Sequence, residues 1–296
     1  MPERRGKLKL VREREADGRT HEIFAELKQL LGIPFTPVVY QAMAAYPAFL
    51  ELHLRAFAPF LSTEQFFQLG ERLRGESYTR MHNYFHIGDL CEPLTEMSFS
   101  PGAKHQLGDV IELFNYVNPL LLVVVSAQLL ALEQPIGQSK DGHVGGTEHP
   151  HFLERPVLIE EESAPVPVKR IYQEMKRTLN LPVVNTDYRA FARWPDFLRE
   201  YWNALRPIAQ APSYREQQRA LCESSESMTK ELEVPIDLSV EKIQQSGLPD
   251  KEIESVLRVT QTFQNILSGL VLNVAAAKIG FEGGTTKTTT DREFAA

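Results

Sequence analysis

Cysteine is nearly absent. The 296-residue chain holds two, Cys91 and Cys222, far apart. That excludes a disulfide framework, a CxxC redox motif and cysteine zinc spacing. Neither thiol sits in a nucleophile motif, so both read as buried or inert. No GxSxG, P-loop or Rossmann fingerprint occurs, and Gly283-Gly284 has no strand before it. His82 and His86 lie four apart but lack the Glu of HExxH, and His149 and His151 sit in the linker, with no third ligand at sensible spacing. No metal and no cofactor is expected. Long apolar runs are also missing: the longest, LLLVVVSAQLLAL over 120–132, falls short of the roughly 20 residues of a membrane span. The start, MPERRGKLKLVRERE, has no apolar stretch behind its charges, so it is not a secretory signal. Excess positive charge is lacking, the formal net charge being −7. This argues against nucleic acid or anionic lipid as the main partner. The expectation is a soluble, cytoplasmic protein of ordinary globular composition.

What is present is a repeat. At an offset of 148, Ile23/Ile171, Glu26/Glu174, Lys28/Lys176, Leu31/Leu179, Pro34/Pro182, Tyr40/Tyr188, Pro47/Pro195, Phe49/Phe197 and Pro59/Pro207 are identical, with further alanine and leucine matches. No gap is needed. LGDVIELFNYVNPLLLVVVSAQLLAL corresponds more weakly to IESVLRVTQTFQNILSGLVLNVAAAK at an offset near 146. Units of about 130 residues are too long for a solenoid. They imply a duplicated domain packed as an intramolecular pseudo-dimer.

Each unit reads as helices. Apolar residues recur at helical spacing over 23–31 and 171–179. The pattern continues over 40–54 and 188–205, each interrupted by a proline that kinks or restarts the helix. Segments 62–74 and 214–228 are amphipathic. Segments 107–132 and 253–277 are long and apolar, as central bundle helices are. The fold class is therefore all-α: a first helical repeat over 1–132, a long Gly/Pro-rich linker over 133–169, a second repeat over 170–279 and a frayed or disordered tail over 280–296. Within the linker, 156–159 is the best short strand-like stretch, and the chain is expected to be extended around Pro165 and Pro167.

A duplication exposes asymmetry. Where the first copy reads PFTPVVYQA, the second reads PVVNTDYRA, so Asp187 replaces Val39, and Asn185 and Thr186 replace Pro37 and Val38. Two roles fit Asn185-Thr186-Asp187: capping of the helix that follows, or chemistry. Two roles also fit Asn118, just before Pro119. It satisfies backbone groups at a kink, or it holds a water in a cavity between the copies. Trp194 pairs with Tyr46 of the other copy and reads as core, with halide contact as the other option.

NTDYRAFARWPDFL in one copy and FNYVNPLLL in the other resemble the group I, DehI-type 2-haloacid dehalogenases, which are unrelated to the HAD superfamily. The likeness runs from about Glu22 to Lys278. It implies hydrolysis of short 2-haloalkanoic acids to 2-hydroxyacids. An Asp-activated water attacks Cα directly, with inversion and no covalent ester. Carried over residue by residue, the catalytic pair is Asp187 and Asn118. Substrate-binding positions are Phe35, Val38, Asn185, Thr186, Tyr188 and Thr260. Val38 stands where some relatives have an aromatic, and Thr260 where a tyrosine is expected. Asn185, two before the Asp, matches members restricted to D-substrates. The implied partner is a small halogenated carboxylic acid, and a homodimer is left open. The competing readings are a dehalogenase taking both enantiomers, a helical small-acid-binding protein without catalysis, and an enzyme of this architecture acting on another small acid.

Overall fold

The computed structural model describes residues 8–96, 99–138 and 150–285. The described chain is helical: α1 (Gly18–Leu31), α2 (Val38–Met43), α3 (Pro47–Leu61), α4 (Glu64–Tyr84), α5 (Cys91–Glu96), α6 (Pro101–Glu133), α7 (Val166–Thr178), α8 (Thr186–Phe191), α9 (Pro195–Gln210), α10 (Pro212–Met228), α11 (Val240–Gln245) and α12 (Asp250–Phe281). Among the described residues the only strand-like pairing is an isolated antiparallel bridge between Ile136 and Ile236.

The two halves run through the same local steps. α1 stops at Gly32 with φ +65°, and the equivalent point after α7 is Asn180 with φ +55°. Both residue types enter the left-handed region more readily than others. Pro47 and Pro195 then open α3 and α9 in their first turns, where a missing N–H does no harm. The proline interruptions are thus restarts that leave α2 and α8 as separate six-residue helices.

α6 and α12 pack on each other at the centre, with α4 and α10 against both. From Phe114 to Gln128 every residue of α6 is buried. α6 is long and apolar enough to cross a membrane, but 89% of its apolar window is buried inside the protein, as in the core helix of a bundle. The short helices cross over: α2 sits against α12, and α8 against α6.

Three expectations need correction. α4 runs ten residues past Arg74, to Tyr84. Its second half is polar outside, and pairs such as Arg80–Glu76 at 2.5 Å support it where apolar periodicity is thin. The stretch 156–159 is no strand. It is one of two short straps lying on the small helices: Ile159 N–H donates to the Arg189 carbonyl at 3.0 Å, and Val11 N–H donates to the Gln41 carbonyl at 2.9 Å. The third holds at Pro165, the N-cap of α7, whose backbone is extended (ψ 153°), but not at Pro167, which lies in the first turn of the helix; the fixed proline φ suits both.

The straps match at the same offset of 148. Glu13 accepts from Lys28 and from the Thr36 N–H, and Glu161 accepts from Lys176 and from the Val184 N–H. At the other end, Gly280 and Phe281 belong to α12, and Thr285 N–H donates to the Ile87 carbonyl at 2.8 Å. Residues 286–296 of the expected frayed tail, and 139–149 of the linker with His149, lie outside the described residues.

Candidate active site

A narrow cleft opens where α2, α6, α8 and α12 meet, with about 30 Å³ of free space, room for a water or two. The start of α2 brings Phe35, Pro37, Val38 and Val39; α6 brings Phe114, Val117, Asn118 and Leu121. The start of α8 brings Asn185, Thr186 and Asp187, and α12 adds Phe263, Leu267 and Leu270. The α12 residues follow a spacing of four and three, one stripe of a helix. Phe35 and Phe114 touch at 5.6 Å between ring centroids. The walls fall in matched positions: Val39 with Asp187, Val38 with Thr186, Pro37 with Asn185, and, at offset 146, Val117 with Phe263 and Leu121 with Leu267.

In this apolar setting the polar atoms stand out. Asp187 is 1% exposed. Its Oδ1 accepts from the Tyr188 N–H at 2.9 Å, while its Oδ2 is buried without a hydrogen-bond partner. Burial pushes the carboxyl from its ordinary 3.8 up to about 7. The Tyr188 N–H, its own N–H, the Asn118 amide and the Arg189 charge pull the other way. Asn118 is near enough to act on the carboxyl, yet its Nδ2 closes no hydrogen bond of good geometry. Asn185 Oδ1 is likewise buried and unpartnered. Such atoms are uncommon in folded interiors, and these three belong to residues that line one cleft.

Both asparagines whose roles the spacing leaves open line the cleft. Asn185 occupies the N-cap position of α8, but its side chain makes no capping bond. Pro119 removes a helical donor inside α6, and the Asn118 amide does not replace it; it faces the cleft. Trp194 is buried outside the cleft, with the Arg193 guanidinium 5.1 Å over its ring.

Two expected side chains are elsewhere. Tyr188 is fully buried, and its hydroxyl accepts from Asn273 Nδ2 at 2.8 Å. Only its N–H serves the site. Thr260 is one turn before Phe263 on the same stripe. There it accepts from Gln128 Nε2 at 2.5 Å and donates to the Val256 carbonyl at 2.9 Å. The α12 aromatic of the cleft is Phe263, which sequence reading missed; its signal was its place opposite Val117 in the duplicated helices.

Other reactive side chains lie away. His82 ends α4 while His86 is beyond it, meeting Thr285 Oγ1 at 3.1 Å, so the two do not share a helix face. No group of three or more metal-ligating side chains gathers among the described residues. Cys91 Sγ donates to the Phe281 carbonyl at 3.3 Å. Burial pushes the Cys222 thiol up to about 12, which leaves it a poor nucleophile.

A family model described as halocarboxylic acid dehydrogenase DehI matches residues 34–188, from the start of the α2 segment to just past Asp187. The chain belongs to the DehI family. DehI relatives match over nearly its full length. An (R)-2-haloacid dehalogenase of Pseudomonas putida is 32% identical over 276 residues, covering 90% of this chain and 91% of its own. An (R)-2-haloacid dehalogenase of Rhizobium sp. (strain NHG3) is 28% identical, covering 78% and 90%. A D-2-haloacid dehalogenase mutant solved with D-2-CPA is 30% identical, with a TM-score of 0.87 over 92% of this chain and 94% of that one. The same enzyme type solved with L-LA gives a TM-score of 0.88 over 93% and 96%. DehI membership makes the chain a hydrolase acting on carbon–halide bonds.

Proposed function

We propose that the chain hydrolyses short D-2-haloalkanoic acids to L-2-hydroxyacids, with one water attacking Cα and Asp187 taking its proton. The observation that carries this is the unpartnered pair at the cleft: Asp187 Oδ2 and Asn118 Nδ2, both buried, from different halves of the chain. A water between them has a carboxylate to accept its hydrogen and an amide to fix its place. Its oxygen forms the new bond to Cα, halide leaves with the carbon–halogen electron pair, and the proton passes to Asp187 Oδ2. A base near neutrality is well matched to this work. No ester with Asp187 forms on this route.

The substrate carboxylate is held by first-turn N–H groups of α2 and α8, at Val38, Val39 and Thr186, which no helical carbonyl takes up. Phe35, Phe114 and Phe263 give the halogen a soft apolar wall. Asn185 supports the D-preference, because its amide is turned to the cleft instead of capping α8. The relatives support the same reading. The Pseudomonas enzyme is named for the (R)-acid, and a 22%-identical Alcaligenes xylosoxydans xylosoxydans relative is named configuration-inverting. D-2-CPA and L-LA, bound in related structures, are a pair that inversion relates.

The matched straps, cap positions and cleft walls support a duplicated architecture in which the repeats of 1–132 and 170–279 form a pseudo-dimer around the cleft, the strap of the second lying in the linker of 133–169. One half-site carries the acid, and the other has Val39 in its place.

Halide release from D- and L-2-chloropropionate tests this. Release from the D-acid with L-lactate as product is expected; release from neither by folded protein overturns it, and equal release from both returns the reading to an enzyme without enantiomer preference. A single turnover in oxygen-18 water is expected to label the product and leave Asp187 unlabelled.

A further inference from the structure

Arg189 lies three residues after Thr186 on α8, on the same helix face. Its side chain is only 14% exposed, so the guanidinium needs partners. Nη1 donates to Glu160 Oε2 at 2.7 Å, and Nη2 donates to Thr186 Oγ1 at 3.3 Å. The strap that carries Glu160 is fixed at its neighbour: Ile159 N–H donates to the Arg189 carbonyl, and the Tyr172 hydroxyl donates to the Ile159 carbonyl at 2.8 Å. Arg189 is thus gripped at backbone and side chain by one short segment.

The other half lacks this device. The matching residue is Gln41, whose amide donates to the Thr36 carbonyl at 2.7 Å, and the match for Thr186 is Val38. Guanidinium, hydroxyl and acid occur together in one half and are all missing from the other.

A threonine hydroxyl has one hydrogen to give and two lone pairs to receive with. Arginine only donates. When Arg189 occupies a lone pair of Thr186, the Thr186 hydrogen remains for a different acceptor, and Thr186 lines the cleft. We propose that Arg189, held by Glu160, is a positioning residue that fixes the Thr186 hydroxyl as a donor to the substrate carboxylate. This rests on reading the cleft as a haloacid site. Arg189 is also the cation acting on Asp187; the other groups that bear on that carboxyl are the Asn118 amide from α6 and the phenols of Tyr188 and Tyr201 from α8 and α9.

The test combines D-2-chloropropionate kinetics with binding of propionate, which has no leaving group. Thr186→Val and Arg189→Met are each expected to raise KM and the propionate Kd roughly tenfold or more, with less effect on kcat, the size of one hydrogen bond to a charged group. The double variant is expected to be no weaker than the worse single one. Thr186→Ser, which keeps the hydroxyl, is expected to stay near the wild type. Arg189→Met is further expected to move the acid limb of the pH profile upward, a change that loosened packing alone does not give. Glu160→Gln, outside the cleft, keeps the test open if Arg189→Met does not fold, and is expected to raise KM in the same direction. Multiplying losses in the double variant, or unchanged KM and propionate Kd in folded Arg189→Met or Glu160→Gln, overturn the proposal. If the wild type releases no halide, the catalytic reading fails, and the propionate coupling between Arg189 and Thr186 still decides this one.

Discussion

The proposed base, Asp187, stands in a place that disfavours its charge. Its carboxyl is fully buried, with one oxygen bonded to the Tyr188 N–H and the other unpartnered. Asp187→Asn keeps the shape and removes the base; halide release is expected to fall at least about a hundredfold, with the circular dichroism spectrum unchanged. Activity should rise with pH through about 7, where the buried carboxyl ionises. Stability moves the opposite way. The pKa is raised by folding, so the folded protein holds this proton more tightly than the unfolded chain does. That contribution is whole below 3.8 and is lost as the pH climbs to about 7, a difference on the order of 4 kcal/mol. Urea unfolding of Asp187→Asn against the wild type should show an advantage for the variant that grows between pH 4 and pH 7 and then levels off. The carboxylate itself was legible as a polar intruder at an apolar position of a repeat. Whether Asn185 caps α8 or faces a ligand was not, because both roles use the same residue at the same place, and only the missing capping bond separates them.

At the scale of elements, α2 and α8 are too short to hold their own positions, six residues each, and isolated helices of that length are not stable. The straps supply what is missing. Glu161 ties the Val184 N–H, two residues ahead of Thr186, to Lys176, and Glu13 does the same for Thr36 and Lys28. Either Glu→Ala change is expected to destabilise by roughly 1–3 kcal/mol, since it leaves a backbone donor and a lysine without their acceptor. Both changes should raise KM, because α2 and α8 are proposed to hold the substrate together, and only Glu161→Ala, on the side that carries Asp187, should lower kcat as well; steady-state kinetics beside thermal melts will separate them. The paired helices were legible from doubled periodicity and from the repeated prolines. The straps were not. They are short, and what ties them to α2 and α8 is single backbone bonds and the side chains of Glu13, Glu160 and Glu161, which no periodic pattern reports.

Across the whole molecule, the halves exchange contacts. α8 of the second packs on α6 of the first, α2 of the first packs on α12 of the second, and α6 and α12 share the centre. Such interlocking leaves neither half a separate core. Calorimetry is expected to show one cooperative transition with equal calorimetric and van't Hoff enthalpies; two resolved transitions would contradict the shared core. That a site lies between the halves could be inferred from one polar residue in each. Its apolar walls could not, because Phe263, Leu267 and Leu270 look like any other core stripe until α2 and α8 are laid across them. The burial of Asp187 reaches beyond the protein. Each hydrolysis of a haloacid anion releases one halide and one proton to the medium. With Asp187 as the base, protonated below about pH 7, a poorly buffered solution is expected to acidify until the enzyme slows itself, and added alkali should restart it.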